Sequence, residues 1–383
     1  MRVLMITHAY PPTFGGVESH VWDISQELAA RGDDVLVVAG GEDAPAPGVV
    51  PVHRHRAISV QALLATRAGL APTAPPDAAA VAGLTAVLAD EVARFRPDVI
   101  HIHNAHHFGP ELARACLDVA QVPVVNSLHD RVGEHLYADV VDWPWALVVF
   151  ISDYLREALP STRPAVTRRL GIDLADFAVD GPRDERLTEL TGPVIFHPAR
   201  LLRWKGVECG VRAFGEVHRD LGGSLVLCAS ENIVDDPVEV REFRRELVEL
   251  ADELGVGHAV HFMSFDRQQI SSAYRAADLI WYPTIDEEPL GLVPIEAMAC
   301  GVPLVVSRSG GMKETVLDGE TGLVVPKQDP GSLAAAARKL LSDTAARESM
   351  VRAGITWTEQ FSQTRYVDWL QEAYQSVINA SGV

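Results

Sequence analysis

The sequence predicts an α/β protein of two domains, each built on a parallel sheet, and three observations carry that prediction. A chain of 383 residues with an apolar fraction of 48% is long enough for two domains with ordinary cores. Near the N-terminus a buried strand, a glycine-punctuated loop, an amphipathic helix and another strand follow one another, the order of a βαβ unit. A second strand, loop and helix begin at Val194. The formal charge of −19 argues against a nucleic-acid or anionic-membrane partner, so any phosphate ligand has to be held by local positive groups. Cys116, Cys209, Cys228 and Cys300 show neither zinc-ligand spacing nor a disulfide framework and read as small core fillers. Residues 1–7 are too short for a signal-peptide core and no stretch reaches membrane-span length, which makes the cytoplasm the expected location and a stable membrane anchor unexpected.

Residues 3–6 form the first buried strand, followed by a loop over 7–16 with Pro11, Pro12, Gly15 and Gly16. Val17, Val21, Ile24 and Leu28 then line one helix face, Arg31-Gly32 ends it, and 35–38 is the next strand. Ligands of such sheets bind at the carboxyl ends of strands, where this loop lies. It has no Gly-x-Gly-x-x-Gly pattern and no Walker lysine, which speaks against a dinucleotide oxidoreductase or a P-loop NTPase. On spacing alone Gly15-Gly16 is a tight turn.

Residues 40–76 are less regular, and the Ala/Pro-rich segment 69–80 reads as a surface excursion. His53-Arg54-His55-Arg56 reads as a solvated strand face. Val81, Leu84, Leu88, Val92 and Phe95 are the core stripe of a helix ended by Pro97, and 99–103 is a strand. His101, His103, His106 and His107 lack a carboxylate or cysteine at ligand spacing, so no metal site is predicted, though one or two stand at the strand's carboxyl end, where a cleft would be lined. The strand 122–127 runs into Leu128-His129-Asp130 and puts His129 at a carboxyl end. A lone histidine there is more often structural than catalytic, and spacing alone favours the structural reading. Strand and helix meet again at 150–155, with Ser152 or Asp153 as the cap.

Residues 176–192 fit an interdomain linker. Beyond the strand at 195–196 come Arg200 and Lys205-Gly206; two cations five residues apart at a strand's carboxyl end suit a diphosphate in so acidic a chain. A strand at 225–229, a charged helix at 238–254, a short strand at 260–262, a helix at 333–341 and a last amphipathic helix at 361–377, with Tyr366, Leu370, Tyr374 and Val377, complete the pattern.

The stretch the rest is organised around is 281–303, Trp-Tyr-Pro-Thr-Ile-Asp-Glu-Glu-Pro-Leu-Gly-Leu-Val-Pro-Ile-Glu-Ala-Met-Ala-Cys-Gly-Val-Pro. A buried strand run at 279–282 is stopped by Pro283; Leu292, Ile295, Glu296 and Ala299 sit at helical spacing, Gly301 closes that helix and 302–306 resumes as strand. Glu288 therefore lies in a turn, and Glu296 lies about five residues, or ~7.5 Å, into the helix. Between them the amides of Gly291 and Leu292 open the helix, a place that suits a diphosphate. One extended ligand then meets three points: a sugar at Glu288, a diphosphate at the amides and a ribose at Glu296, each charged hydrogen bond worth about 1.5–3 kcal/mol. Taken singly, either glutamate is also an ordinary solvated turn or helix residue.

Glu288 and Glu296, seven residues between them, followed by Ala-Met-Ala-Cys-Gly-Val-Pro-Leu-Val, resemble the signature of the family 4 retaining glycosyltransferases of GT-B fold. The likeness covers nearly the whole chain and is weakest over 40–76. Gly-Gly-Val-Glu resembles the family's N-terminal glycine loop, which faces the donor phosphates, and implicates Gly16. Ser-Leu-His-Asp is similar to the family's Thr-x-His-Asp, whose histidine contacts the transferring sugar, and implicates His129. The family's Gly-Arg-x-x-x-x-Lys-Gly matches Arg200 and Lys205, with Ala199 for the glycine and Trp204 where a glutamate is common. Arg169-Leu170-Gly171-Ile172-Asp173 stands for an Asn-Gly-Val-Asp turn with leucine in place of asparagine; Met263-Ser264-Phe265 corresponds to the border of the base, and 309–322 to turns around the donor cleft.

The resemblance implies two Rossmann-like, doubly wound parallel-sheet domains facing a central cleft: 1–174 for the acceptor, with the terminal helix 362–383 packing back on it, and 175–361 for the donor. It implies transfer of a hexose or N-acetylhexosamine, with retention and without a metal or other cofactor, from a UDP- or GDP-sugar to a hydroxyl of a small soluble acceptor. His129 and Glu288 are the implied catalytic residues. Gly16, Arg200, Lys205, Glu288, Pro289, Leu290, Gly291, Leu292 and Glu296 are the implied donor contacts. A nucleotide-sugar epimerase of the same fold, which consumes donor without acceptor, and a non-catalytic sugar-nucleotide-binding protein are the alternatives.

Overall fold

The computed structural model describes residues 1–13, 15–41, 46–58, 78–105, 109–130, 138–229 and 237–382. Most of the Ala/Pro-rich segment, together with His106 and His107, lies outside them. The chain forms two compact units, Met1–Gly171 with Gln363–Val383, and Ile172–Ser362.

In the first unit β1 (Arg2–Thr7), β2 (Asp34–Gly40), β3 (Val52–His55), β4 (Val99–His103), β5 (Val124–Leu128), β6 (Leu147–Phe150) and β7 (Ala165–Thr167) make one sheet of order β3-β2-β1-β4-β5-β6-β7. Every pairing is parallel. The order runs outward in both directions from β1 and β4, so the topological switch point lies between them. β4 and β5 are buried at every residue, as strands covered on both faces have to be. The helix Gly16–Ala30 buries Val21, Ile24 and Leu28, but also Glu18, His20 and Ser25, so its inward face is wider than its apolar stripe.

The terminal helix Gln363–Ser381 belongs to this unit and buries Tyr366, Val367, Leu370 and Tyr374 along one face. Arg31 reaches Asp368 at 2.6 Å, and the Tyr374 hydroxyl lies 2.6 Å from His101 Nδ1. The basic strand face expected at 53–56 is exposed at His53 and Arg56, and its two histidines also have a partner. His53 and His55 alternate onto one side of β3 and meet the buried Glu91 at 2.8 and 3.3 Å. Reading only the apolar residues of the helix Ala78–Phe95 as inward-facing hid that glutamate.

In the second unit β8 (Val194–His197), β9 (Ser224–Cys228), β10 (Val260–Met263), β11 (Leu279–Tyr282), β12 (Leu304–Ser307) and β13 (Leu323–Val325) pair in the order β10-β9-β8-β11-β12-β13. All are again parallel. Side chains alternate between two cores. Ile195, Leu225, Leu279, Trp281 and Val305 pack with Val211 and Phe214 of one helix and Leu333 and Leu340 of another. Phe196, Val226, Ile280, Tyr282 and Val306 pack on the opposite side with Ala273, Tyr274, Ala297 and Met298. A sheet with a helical layer on each face is doubly wound and Rossmann-like. The helix Thr344–Thr358 was not expected from the sequence; it buries only Met350, Gly354 and Thr358, too few apolar residues to print a stripe. Among the described residues no helix is long and apolar enough to cross a membrane.

Candidate active site

The second unit holds the turn after β11. Gly291 caps the helix Leu292–Ala299 with φ +84° and ψ +96°, a backbone that only glycine adopts without strain. The first amides of that helix have no intrahelical partner, so its N-terminus stays available to an anion. Glu288, just before it, is buried at 8% exposure. Its backbone amide donates to Ser309 Oγ at 2.7 Å, and Ser309 donates on to the Asp286 carbonyl at 2.6 Å. Gly311 N donates to the Glu288 carbonyl at 2.8 Å, and Gly310 N to Glu287 Oε2 at 2.5 Å. The acidic turn is thus clamped to the loop after β12, and Lys327 pairs with Glu287 from β13's side.

The cation loop after β8 is stitched to the same turn. Residues 203–205 form a single 3₁₀ turn ended by Gly206 at φ +74°, and a Cβ at Gly206 would fall 1.9 Å from the Pro283 carbonyl oxygen. Trp204 O accepts from Ile285 N at 2.9 Å and from Thr284 Oγ1 at 2.8 Å. The Lys205 ammonium ends 2.7 Å from Glu288 Oε2 and 3.8 Å from the centre of the Trp204 ring, which supports it by cation–π attraction. It also donates to the Tyr282 hydroxyl, which donates to Glu288 Oε2 at 2.5 Å. Burial, then the charge of Glu288, pushes the Tyr282 phenol well above its usual range, while the Arg200 guanidinium opposes the shift. His197, at the end of β8, is fully buried and held neutral, its pKa lowered to about 3 by burial and then by the Lys205 charge.

Glu296 projects from the helix Leu292–Ala299, half-buried, and accepts a 2.6 Å hydrogen bond from the Tyr274 hydroxyl. Burial raises its carboxyl pKa, against the Tyr274 bond and the Arg267 charge. The structure therefore joins Lys205 to Glu288 directly and gives Glu296 a partner of its own. Tyr274 and Tyr282 were not among the residues singled out in the sequence, because tyrosines inside strand and helix patterns read as core; Ser309 was read only as the start of a run of turns.

In the first unit His129 follows β5 and is buried at 4% exposure. Its amide donates to Asn104 Oδ1 at 2.7 Å, and its Nε2 lies 3.0 Å from His103 Nδ1. His20 stands 5.4 Å from His129 and edge-on to Tyr366 at 4.9 Å, and His101 stacks 4.1 Å from His103. Burial lowers His20 and His101 to about 3 and His103 well below its ordinary value, so these rings are neutral. Gly16 opens the helix Gly16–Ala30, and a Cβ placed on it meets nothing within 4 Å. At Gly15 the same atom would fall 2.3 Å from Glu18 Oε2, and Glu18 pairs with His8 at 3.0 Å. Among the described residues no cluster of three His, Cys, Asp or Glu is arranged to hold a metal ion.

Residues 14–173 match the model of Glycosyltransferase Family 4, and residues 182–357 match that of Glycosyl transferases group 1. The chain is 30% identical to a glycogen synthase of Mycobacterium tuberculosis over 92% of its own length and 89% of that protein's. It is 27% identical to a D-inositol 3-phosphate glycosyltransferase of Corynebacterium diphtheriae, over 98% and 94% of the two chains. In fold it superimposes on Anabaena Alr3699/HepE, solved in complex with UDP-glucose, with a TM-score of 0.76 at 20% identity over 98% of this chain and 100% of that one. Two Rossmann-like parallel-sheet units, the paired glutamates of one turn and helix, and full-length relatives among glycosyltransferases agree: the chain has the GT-B fold and belongs to glycosyltransferase family 4.

Proposed function

We propose that the protein transfers a hexose or N-acetylhexosamine from a UDP- or GDP-sugar to a hydroxyl of a small soluble acceptor in the cytoplasm, retaining the anomeric configuration and using no metal. The observation that carries this reading is the contact of Lys205 with Glu288 beside the open N-terminus of the helix Leu292–Ala299. A cation and a carboxylate 2.7 Å apart at an anion-binding helix end suit the place where a diphosphate joins a sugar. Arg200, Lys205 and the first helix amides neutralise the departing diphosphate, and Glu288 accepts from the sugar's hydroxyls. Pro289, Leu290, Gly291 and Leu292 carry the backbone past the phosphates, Glu296 takes the ribose, and Gly16 leaves room for phosphate at the start of its helix.

In the reaction the bond from the anomeric carbon to the diphosphate breaks with its electron pair going to the phosphate. The acceptor oxygen bonds to that carbon on the same face, and its proton passes to the departing phosphate oxygen. His129 supports the positive charge that develops on the sugar. The names of relatives favour this choice of partners, one being a D-inositol 3-phosphate glycosyltransferase and one fold neighbour having been solved with UDP-glucose.

A screen of UDP- and GDP-sugars for nucleoside diphosphate release, followed by acceptor mixtures with mass spectrometry, tests it. Glu288→Ala is expected to fold normally and lose most turnover, about 100-fold or more. Wild-type rates in that variant at saturating donor would remove Glu288 from the mechanism.

A further inference from the structure

Behind each of the two glutamates stands a buried tyrosine. Tyr274, fully buried inside the helix Arg267–Ala276, donates to Glu296 Oε2 at 2.6 Å. Tyr282, the last residue of β11 and 2% exposed, donates to Glu288 Oε2 at 2.5 Å. In both glutamates the protein bonds gather on Oε2, and among the described residues none reaches Oε1. A carboxylate has about four acceptor sites on two oxygens, so each keeps one whole oxygen for another donor.

Both tyrosines sit on regular elements, which hold a site more closely than loops do. A phenol has a single proton to donate, so a bond to one oxygen fixes how the carboxylate plane is turned. At Tyr282 the sense of the bond is set from outside: the Lys205 ammonium donates to the phenol oxygen, leaving the phenol's own proton for Glu288. Burial pushes both phenols well above their ordinary range, which keeps that proton in place.

We propose that Tyr274 and Tyr282 are positioning residues for opposite ends of one donor: Tyr274 turns Glu296 so that Oε1 meets the ribose hydroxyls, and Tyr282 turns Glu288 so that Oε1 meets the hydroxyls of the sugar. The inference rests on the donor reading above and adds residues that touch no substrate themselves.

The test measures binding to the full-length protein by calorimetry. The probes are UDP and GDP, their 2′,3′-dideoxy forms, and UDP-glucose, UDP-N-acetylglucosamine and GDP-mannose. Phenylalanine preserves each buried ring, and a melting curve checks that Tyr274→Phe and Tyr282→Phe are folded. Tyr274→Phe is expected to weaken the ribonucleotide about tenfold and its dideoxy form less than about twofold. Tyr282→Phe is expected to do the reverse along the ligand, weakening the nucleotide sugar about tenfold and the parent diphosphate less than about twofold.

A merely structural loosening weakens ribo and dideoxy forms alike, or diphosphate and nucleotide sugar alike, and either result overturns the proposal while leaving the donor site standing. Should Tyr274→Phe unfold, Glu296→Ala on the same nucleotide pair takes its place, and equal losses on both forms would overturn the ribose arm. Wild-type protein that binds none of the probes would bring down the donor reading itself, and this inference with it.

Discussion

Glu296 shows how burial puts a single charged side chain at a cost. Its carboxyl pKa is raised by burial, so the folded state keeps a proton to higher pH than the unfolded chain does. The sign follows from linkage: stability is lost as pH climbs from the ordinary glutamate value of about 4.3 through the raised folded value, and above that window the whole penalty is present. Glu296→Gln removes the charge yet keeps an oxygen to accept from Tyr274. The variant's thermal midpoint should therefore gain on wild type as pH rises from about 4 to 7, while its affinity for the nucleoside diphosphate falls about tenfold or more. A midpoint difference that does not change with pH would show that the charge carries no penalty. Glu288 is bonded by two groups at once, the Lys205 ammonium and the Tyr282 hydroxyl, both on Oε2.

At the scale of loops and helices, the two glycine turns separate what the protein needs from what a ligand needs. Gly206 is required by the fold: φ is +74°, and a Cβ would strike the Pro283 carbonyl oxygen at 1.9 Å. Gly206→Ala should cost about 1–2 kcal/mol from the backbone alone and more from the displaced loop, and should raise the donor KM because Lys205 moves with it. Gly16 has open space around it, so Gly16→Ala should leave the melting temperature unchanged and still depress turnover if donor phosphate occupies that space. Full activity in Gly16→Ala would take the phosphate role from Gly16. Much of this level was legible in the sequence. Apolar runs marked β1, β4, β8 and β11, and the glutamate pair with its closing Gly301 marked the turn and helix at the site's centre. Partnerships formed across the sheet were not legible: Lys205 with Glu288 spans 83 residues, and His101 with Tyr374 spans 273. Periodicity reports which face of an element is buried, not which polar group waits there, and so Glu91, Tyr274 and Tyr282 were read as stripe or core, or passed over.

The distribution of buried histidines over the whole molecule gives its two units different responses to acid. His20, His101 and His103 all belong to the first unit and are buried and neutral, whereas in the second His197 is the one histidine held fully buried among the described residues. A histidine whose folded pKa is about 3 refuses a proton that the unfolded chain accepts below about 6.5. Stability is therefore lost as pH falls through that interval, by about 1.4 kcal/mol per pH unit for each such ring. Burial also lowers His261 in the second unit, but that ring is only half-buried. Three fully buried rings against one make the first unit the more acid-sensitive, and the terminal helix falls with it, because Tyr374 and Tyr366 pack on His101 and His20. Calorimetry between pH 7 and 5 should show the first unit's transition moving to lower temperature faster than the second's. His20 separates the proton from the packing: among the described residues neither ring nitrogen has a hydrogen-bond partner, and its ring meets Tyr366 edge-on. His20→Phe keeps a ring in that place and removes one titrating group, so it should cut the acid slope of the first transition by about one proton and leave the midpoint at pH 7 nearly unchanged. An unaltered slope would mean that His20 takes up its proton in the folded state as readily as in the unfolded chain, and that its burial does not set the acid limit of this unit.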